Sequence, residues 1–217
     1  MSLQSERPGV VFDLDGTLID SLSEIHAAVV LTLEERTIEA VSIQEIALLV
    51  GQPPATFFAG RVEPSQVAEA VSRFRFHLEG IAGTQARIYD GTIDVLEFLV
   101  SRDIPMAVAS NKSNRLAECV IDRMGLSKYF AVVQGTDGLK SKPAPDVVLK
   151  ALGLLGRLDG YMIGDTLADV EAGRAAGLKT IGIGHGPGRG TGLERADFRV
   201  SDMPDLLLAC RSGKLPV

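Results

Sequence analysis

Val10-Val11-Phe12-Asp13-Leu14-Asp15-Gly16-Thr17 is the stretch on which the fold turns. Its apolar opening, β-branched at two positions, is strand-like and runs straight into two carboxylates, a glycine and a threonine. A strand that is apolar on both faces belongs inside a parallel sheet. Working outward, further runs of the same form follow. Pro105–Ala109 leads into Ser110-Asn111-Lys112, and Phe130–Val133 into Gln134-Gly135. Tyr161–Ile163 leads into Gly164-Asp165-Thr166, and Thr180–Ile183 into the glycine-rich loop Gly182–Gly192. Between them, apolar residues at helical spacing predict helices over Thr92–Ser101, Asn114–Met124, Ala144–Leu152 and Ala168–Ala176, with Gly125 and Gly177 placed as C-terminal caps. This alternation predicts an α/β fold with a Rossmann-like, doubly wound parallel sheet.

Residues 20–88 break the rhythm. Leu22–Glu35, Ser42–Val50 and Pro64–Glu79 read as helices with no strand among them. The expected organisation is therefore an α/β core domain of residues 1–19 and 89–217, with a helical cap domain of residues 20–88 inserted after the first strand.

The whole chain narrows the function classes. Its 217 residues, 46% of them hydrophobic, suffice for a substantial core. A net charge of −6 without a basic run argues against nucleic acid as a partner, but leaves small anions open. The two cysteines, Cys119 and Cys210, lie outside any CxxC or His-rich cluster and read as reduced thiols. No apolar run reaches membrane-spanning length, and the polar start MSLQSERPG lacks the apolar region of a signal peptide, so a cytoplasmic location is expected.

Polar residues at the C-terminal ends of strands are where open α/β sheets bind ligands. Asp13 and Asp15, two apart at such an end, can divide the work of one site: one attacks phosphorus, the other moves a proton. Like charges this close need a compensating cation or proton, and hard carboxylate oxygens make Mg2+ the natural partner. Ser110, with Asn111, suits a phosphate oxygen, although a serine there is also an ordinary helix N-cap. Lys142, set among Pro143 and Pro145, offers a fixed cation, although a lone lysine is more often a solvated surface group. Asp165 is placed to complete the metal's ligands or to cap the next helix. Asp169, one turn on, falls on the same face and is placed to orient the metal's waters or Lys142.

Together these residues resemble the motifs of the haloacid dehalogenase superfamily, in its phosphoglycolate-phosphatase-like branch. The four signatures occur in order: DLDGT at 13–17, ASN at 109–111, KPAP at 142–145 and GDTLAD at 164–169. The resemblance implies a Mg2+-dependent phosphatase acting on a small phosphomonoester through an aspartyl-phosphate. Asp13 looks like the nucleophile, and Asp15 like the general acid/base that also binds metal through its backbone carbonyl. Ser110 and Lys142 look like the phosphate-holding pair, with Thr17 and Asn111 beside them, and Asp165 and Asp169 look like the remaining metal-site acids. The family's sheet order sets the strands of the first, second and fourth motifs side by side. The expected partner is a small phosphorylated metabolite, met by a monomer or homodimer.

Other chemistries of the superfamily are weighed by residue. Dehalogenases lack the second motif-one aspartate that Asp15 supplies. Phosphonoacetaldehyde hydrolases use a cap lysine, and the first lysine here is Lys112, beyond the cap. β-Phosphoglucomutase-like enzymes carry a histidine five positions after the aspartate that follows the motif. Counted from Asp20 that position is Ile25, with His26 one helical step away, about 100° around the axis. The mutase is the alternative reading; a non-catalytic phosphate-ester-binding protein is a second. Leaving-group contacts are expected from the cap: Gln52, in the Gly51-Gln52-Pro53 loop, and Arg61. Arg73 and His77 share a helical face that reads as solvated. His185 is expected near the substrate entrance.

Overall fold

The structure is a computed structural model that describes residues 7–187 and 192–215. Residues 188–191 of the glycine-rich loop, and 1–6 of the polar start, lie outside them. The strands are β1 (Gly9–Phe12), β4 (Met106–Ala109), β5 (Val132–Gln134), β6 (Gly160–Gly164), β7 (Lys179–Ile183) and β8 (Phe198–Val200), all paired in parallel in the order β5-β4-β1-β6-β7-β8. The motif-bearing strands β4, β1 and β6 are thus neighbours, as the family resemblance implies. Every residue of these three strands is buried, which accounts for their unbroken apolar runs.

Side chains alternate across the pleat, so each strand feeds two apolar layers. Val10 and Phe12 join one layer with α4 (Thr92–Ser101), α5 (Asn114–Arg123) and α8 (Met203–Arg211). Val11 joins the other with α6 (Asp146–Leu154) and α7 (Leu167–Ala175). Gly125 and Gly177 follow α5 and α7 at φ of 69° and 80°, the left-handed C-cap expected of them. The expected strand at Phe130–Val133 begins later, because Ser127–Tyr129 forms a 3-10 turn. β8 and α8 were not anticipated.

The insertion consists of α1 (Leu22–Glu34), α2 (Ile43–Ala47) and α3 (Val67–Ile81), with 3-10 turns at Pro54–Phe57 and Pro64–Gln66. Ser42 and Glu45 form a reciprocal capping box that starts α2. α2 stops at Ala47, short of the expected Val50; the chain then turns at Gly51 with φ 85°, and Pro53 holds Gln52 out of helical backbone. Phe57, Phe58 and Phe74 pack with ring centroids 5.4–6.5 Å apart and anchor α3.

One expectation is corrected. The segment 20–88 contains strand: β2 (Ile19–Asp20) and β3 (Arg87–Ile88) form an antiparallel ribbon where the insertion leaves and rejoins the core. Strands of two residues carry no readable periodicity. Beside them, the buried Glu24 carboxylate accepts from the backbone N–H groups of Gly83, Gln85 and Ala86 at 2.9, 2.6 and 2.9 Å. Those bonds offset the cost of burying its charge and tie the returning chain to α1.

Candidate active site

The ends of β1, β4 and β6 bring the motif residues together. Lys142 is 1% exposed, and its Nζ donates to Asp13 Oδ1 at 2.6 Å, Asp169 Oδ1 at 2.6 Å and the Ala109 carbonyl at 2.8 Å. It is therefore a buried three-bond hub and not a solvated lysine. Burial alone would lower its pKa; the charges of Asp13 and Asp169 more than reverse this and raise it. The same burial, reinforced by the charge of Asp169, pushes Asp13 up to about 7 despite Lys142. Burial, then the charges of Asp169 and Asp13, also raises Asp165 well above the usual carboxylate range.

Asp165 accepts from Thr17 Oγ1 at 2.9 Å on one oxygen, while its other oxygen, Oδ2, is buried without a hydrogen-bond partner among the described residues. Gly16, at φ 88°, and Gly186 crowd that carboxylate so closely that a Cβ at either position would overlap it. Asp13, Asp165 and Asp169 place carboxylate oxygens within 4.8 Å of one another. Three buried acids against one lysine leave an excess of negative charge and an orphaned oxygen. That donor set fits a hard divalent cation.

Asp169 was expected on the same face as Asp165, and it lies there. One of its oxygens takes Lys142 and the other accepts from Thr166 Oγ1 at 2.6 Å and Thr166 N at 3.1 Å, as half of a capping box. Thr166, and not Asp165, is thus the N-cap of α7, which frees Asp165.

The Asp15 carboxylate is separate from this cluster. Its Oδ2 accepts from Lys112 Nζ at 2.5 Å and its Oδ1 from the Ser21 hydroxyl. Sequence reasoning missed both partners. Ser21 precedes α1 but makes no side-chain cap bond to it. For Lys112, its position two residues beyond Ser110 was the available signal.

A pocket over Asp13 is lined by Asp15, Ser110, Asn111, Lys112 and Lys142 from the core, and by Gln52, Phe57, Phe74 and Arg75 from the insertion. Ser110 is buried and its Oγ accepts from Lys112 N at 3.2 Å. The Asn111 amide is committed: it donates to the Gly51 carbonyl at 2.8 Å and to the Lys142 carbonyl at 3.2 Å, and accepts from Lys142 N at 2.8 Å. It braces the Lys142 loop and latches the insertion to the core. Thr17 spends its hydroxyl on Asp165 and is not among the pocket residues. Arg61, expected near the leaving group, points elsewhere: Nη2 lies 3.3 Å from Glu45 Oε1, and Nη1 donates to the Phe57 carbonyl at 3.3 Å. Arg73 and His77 both engage Glu35 on the helix surface. His26 turns to the Val41 carbonyl at 2.8 Å, while Ile25 lines the pocket. His185 stacks on Tyr89, with centroids 3.9 Å apart, and its Nε2 lies 3.0 Å from the Thr17 carbonyl; it borders a different cavity.

Comparison with known proteins agrees with this geometry. The family model for haloacid dehalogenase-like hydrolases matches residues 10–183. A phosphoglycolate phosphatase of Aquifex aeolicus is 35% identical over 174 residues, spanning 79% of this chain and 82% of its own. A pyrophosphatase PpaX of Halalkalibacterium halodurans is 29% identical, spanning 91% and 94%. Among solved structures, a predicted phosphatase from Clostridium acetobutylicum superposes with a TM-score of 0.87 at 26% identity, covering 97% of this chain and 100% of that one. From its four motifs, its sheet order and these matches, the chain belongs to the haloacid dehalogenase-like hydrolase family, in its phosphoglycolate-phosphatase-like branch.

Proposed function

We propose that this enzyme is a Mg2+-dependent phosphatase that hydrolyses a small phosphomonoester through an aspartyl-phosphate on Asp13. The observation that carries this reading is the division of labour between two aspartates two residues apart. Asp13 sits with Lys142, Asp165 and Asp169 in the charged cluster, whereas Asp15 is held apart by Lys112 and Ser21 over the same pocket. Asp13 attacks phosphorus in line, and its new P–O bond forms as the bond to the leaving oxygen breaks. Asp15 gives the leaving oxygen its proton, then takes one from the water that cleaves the acyl phosphate. Ser110 and Lys142 hold phosphoryl oxygens and stabilise the charge that develops on them.

Asp13, Asp165 and the Asp15 backbone carbonyl would hold Mg2+, which would supply Lewis-acid charge for the phosphoryl group. Asp169, with both oxygens occupied, orients Lys142. The helical insertion, residues 20–88, acts as a cap that excludes bulk water, with Gln52 over the leaving group. The free thiols Cys119 and Cys210 suit a cytoplasmic site of action. The phosphatase names of the relatives support the reaction class. Against the mutase, the pocket position at residue 25 is isoleucine and His26 faces away.

The test is phosphate release from phosphoglycolate, a sugar phosphate, a nucleotide and pyrophosphate, with and without Mg2+, by the native enzyme and Asp13→Asn. Release that requires both metal and Asp13 is the expected result. Wild-type turnover by Asp13→Asn would refute the nucleophile assignment.

A further inference from the structure

The insertion carries five arginines, at positions 36, 61, 73, 75 and 87, of which Arg87 borders a different cavity, beside Asp20 and Ser23. Three are neutralised within it. Arg36 lies 3.8 Å from Glu35 and 3.5 Å from Glu69, Arg61 pairs with Glu45, and Arg73 pairs with Glu35. Arg75 is exposed and makes no hydrogen bond or ion pair among the described residues, yet it is the one of the five that lines the pocket over Asp13. The other pocket cations are committed: Lys142 to Asp13 and Asp169, and Lys112 to Asp15.

The surroundings give this free cation a purpose. α3 presents Phe74, Arg75 and Leu78 to the pocket together, and Ile25, Phe57 and Leu116 complete an apolar wall. A charge beside low-dielectric walls attracts an anion more strongly than one in open water. Arg75 comes to this pocket from the insertion, and Ser110 and Lys142 come to it from the core, so Arg75 is available to a part of the substrate other than the phosphoryl group that those two would hold.

We propose that Arg75 is a specificity-determining residue that binds a second negative charge, carried by the leaving group of the substrate. This rests on the phosphatase reading above, and it excludes uncharged alcohols as the preferred leaving groups. A planar guanidinium suits a carboxylate or a second phosphoryl group through paired N–H donors.

The experiment compares two esters that differ only in that charge: 2-phosphoglycolate and 2-hydroxyethyl phosphate, each with Mg2+, on the native enzyme, Arg75→Met and Arg75→Lys. A hydrogen bond to a charged group is worth about 1.5–3 kcal/mol, or roughly 10–150-fold. The native enzyme is expected to favour the acid ester by a kcat/KM ratio in that range. Arg75→Met is expected to collapse the ratio, chiefly through a higher KM for the acid ester, and Arg75→Lys to restore part of it. Because Arg75 is exposed and unpartnered, its replacement leaves no buried group stranded. Release from both esters with a ratio near one, or a ratio that Arg75→Met does not change, overturns the role of Arg75 while the phosphatase reading stands. No Mg2+-dependent release from either ester, nor from the wider panel, overturns both.

Discussion

Lys142→Met tests whether the buried charge cluster is built as described. The lysine is 1% exposed and donates three hydrogen bonds, two to carboxylates at 2.6 Å. Its loss leaves Asp13 and Asp169 facing each other, with oxygens no more than 4.8 Å apart and no intervening cation. Two like charges at that separation repel by up to about 3 kcal/mol at an effective dielectric constant near 20, less whatever Asp13 relieves by taking up a proton once Lys142 no longer lowers its pKa. Breaking one side of a buried ion pair costs about 3–5 kcal/mol by direct measurement in other proteins. Both routes give the same size of effect. For a chain of this length, about 2–4 °C per kcal/mol converts it to a fall in Tm of roughly 6–20 °C. The assay is calorimetry in excess chelator at pH 8, where the acids are most fully ionised. Lys142→Met/Asp169→Asn is expected to regain at least half of the loss, because it removes one of the stranded charges. Turnover separates the two effects: both variants are expected to lose about 10²–10³ in kcat, the size of one preorganised charge at a transition state. A Tm within 2 °C of the native protein for Lys142→Met would refute the account of the cluster (a threshold roughly the scale of 1 kcal/mol).

Two further outcomes follow from the same cluster. In metal-free protein, burial and then Asp169 hold Asp13 at about 7, above its ordinary 3.8, and Asp165 is raised in the same direction. A raised carboxylate gives stability that is complete below about pH 4 and lost as pH climbs through about 7, because the native state holds the extra proton. The metal-free Tm is therefore expected to fall between pH 5 and pH 8, and added Mg2+ to raise it more at pH 8 than at pH 5; an equal or larger shift at pH 5 would contradict this. Gly186→Ala drives a methyl group into the Asp165 carboxylate and is expected to raise half-saturating Mg2+ by about 10–100-fold, the usual effect of disturbing a metal's supporting groups. The check is a Mg2+ titration followed by Tm and by rate, and an unchanged midpoint would count against Asp165 as a ligand.

The core was legible because its signals are local. β1, β4 and β6 are buried on both faces, so their residues had to be apolar along the whole run, and the charges at their ends stood out. Helix ends were legible where a residue type is demanded by backbone geometry, as at Gly125 and Gly177. What escaped was short or non-local. β2 and β3 pair two residues with two, across nearly seventy positions, too few for any period. Ser21 went unremarked because its hydroxyl serves Asp15, six residues back, and not the helix it precedes.

The insertion shows most clearly why a site can be legible on one side and opaque on the other. Arg61, Arg73 and Arg75 are chemically identical in sequence, and nothing within a few positions of each ranks them. What ranks them is a set of acids chosen by packing: Glu45, sixteen residues from Arg61, and Glu35, thirty-eight from Arg73. Arg75 is distinguished by what it lacks, since α3 turns it away from those acids and toward the pocket. A phosphoryl-transfer centre has fixed requirements, and its residues recur at fixed spacing around the ends of β1, β4 and β6. A leaving-group pocket has only to leave the right charge unneutralised, and that depends on every partner its neighbours take. If Arg75 reads the leaving group as proposed, substrate choice rests on which of the charges lining the pocket the folded insertion leaves unpaired.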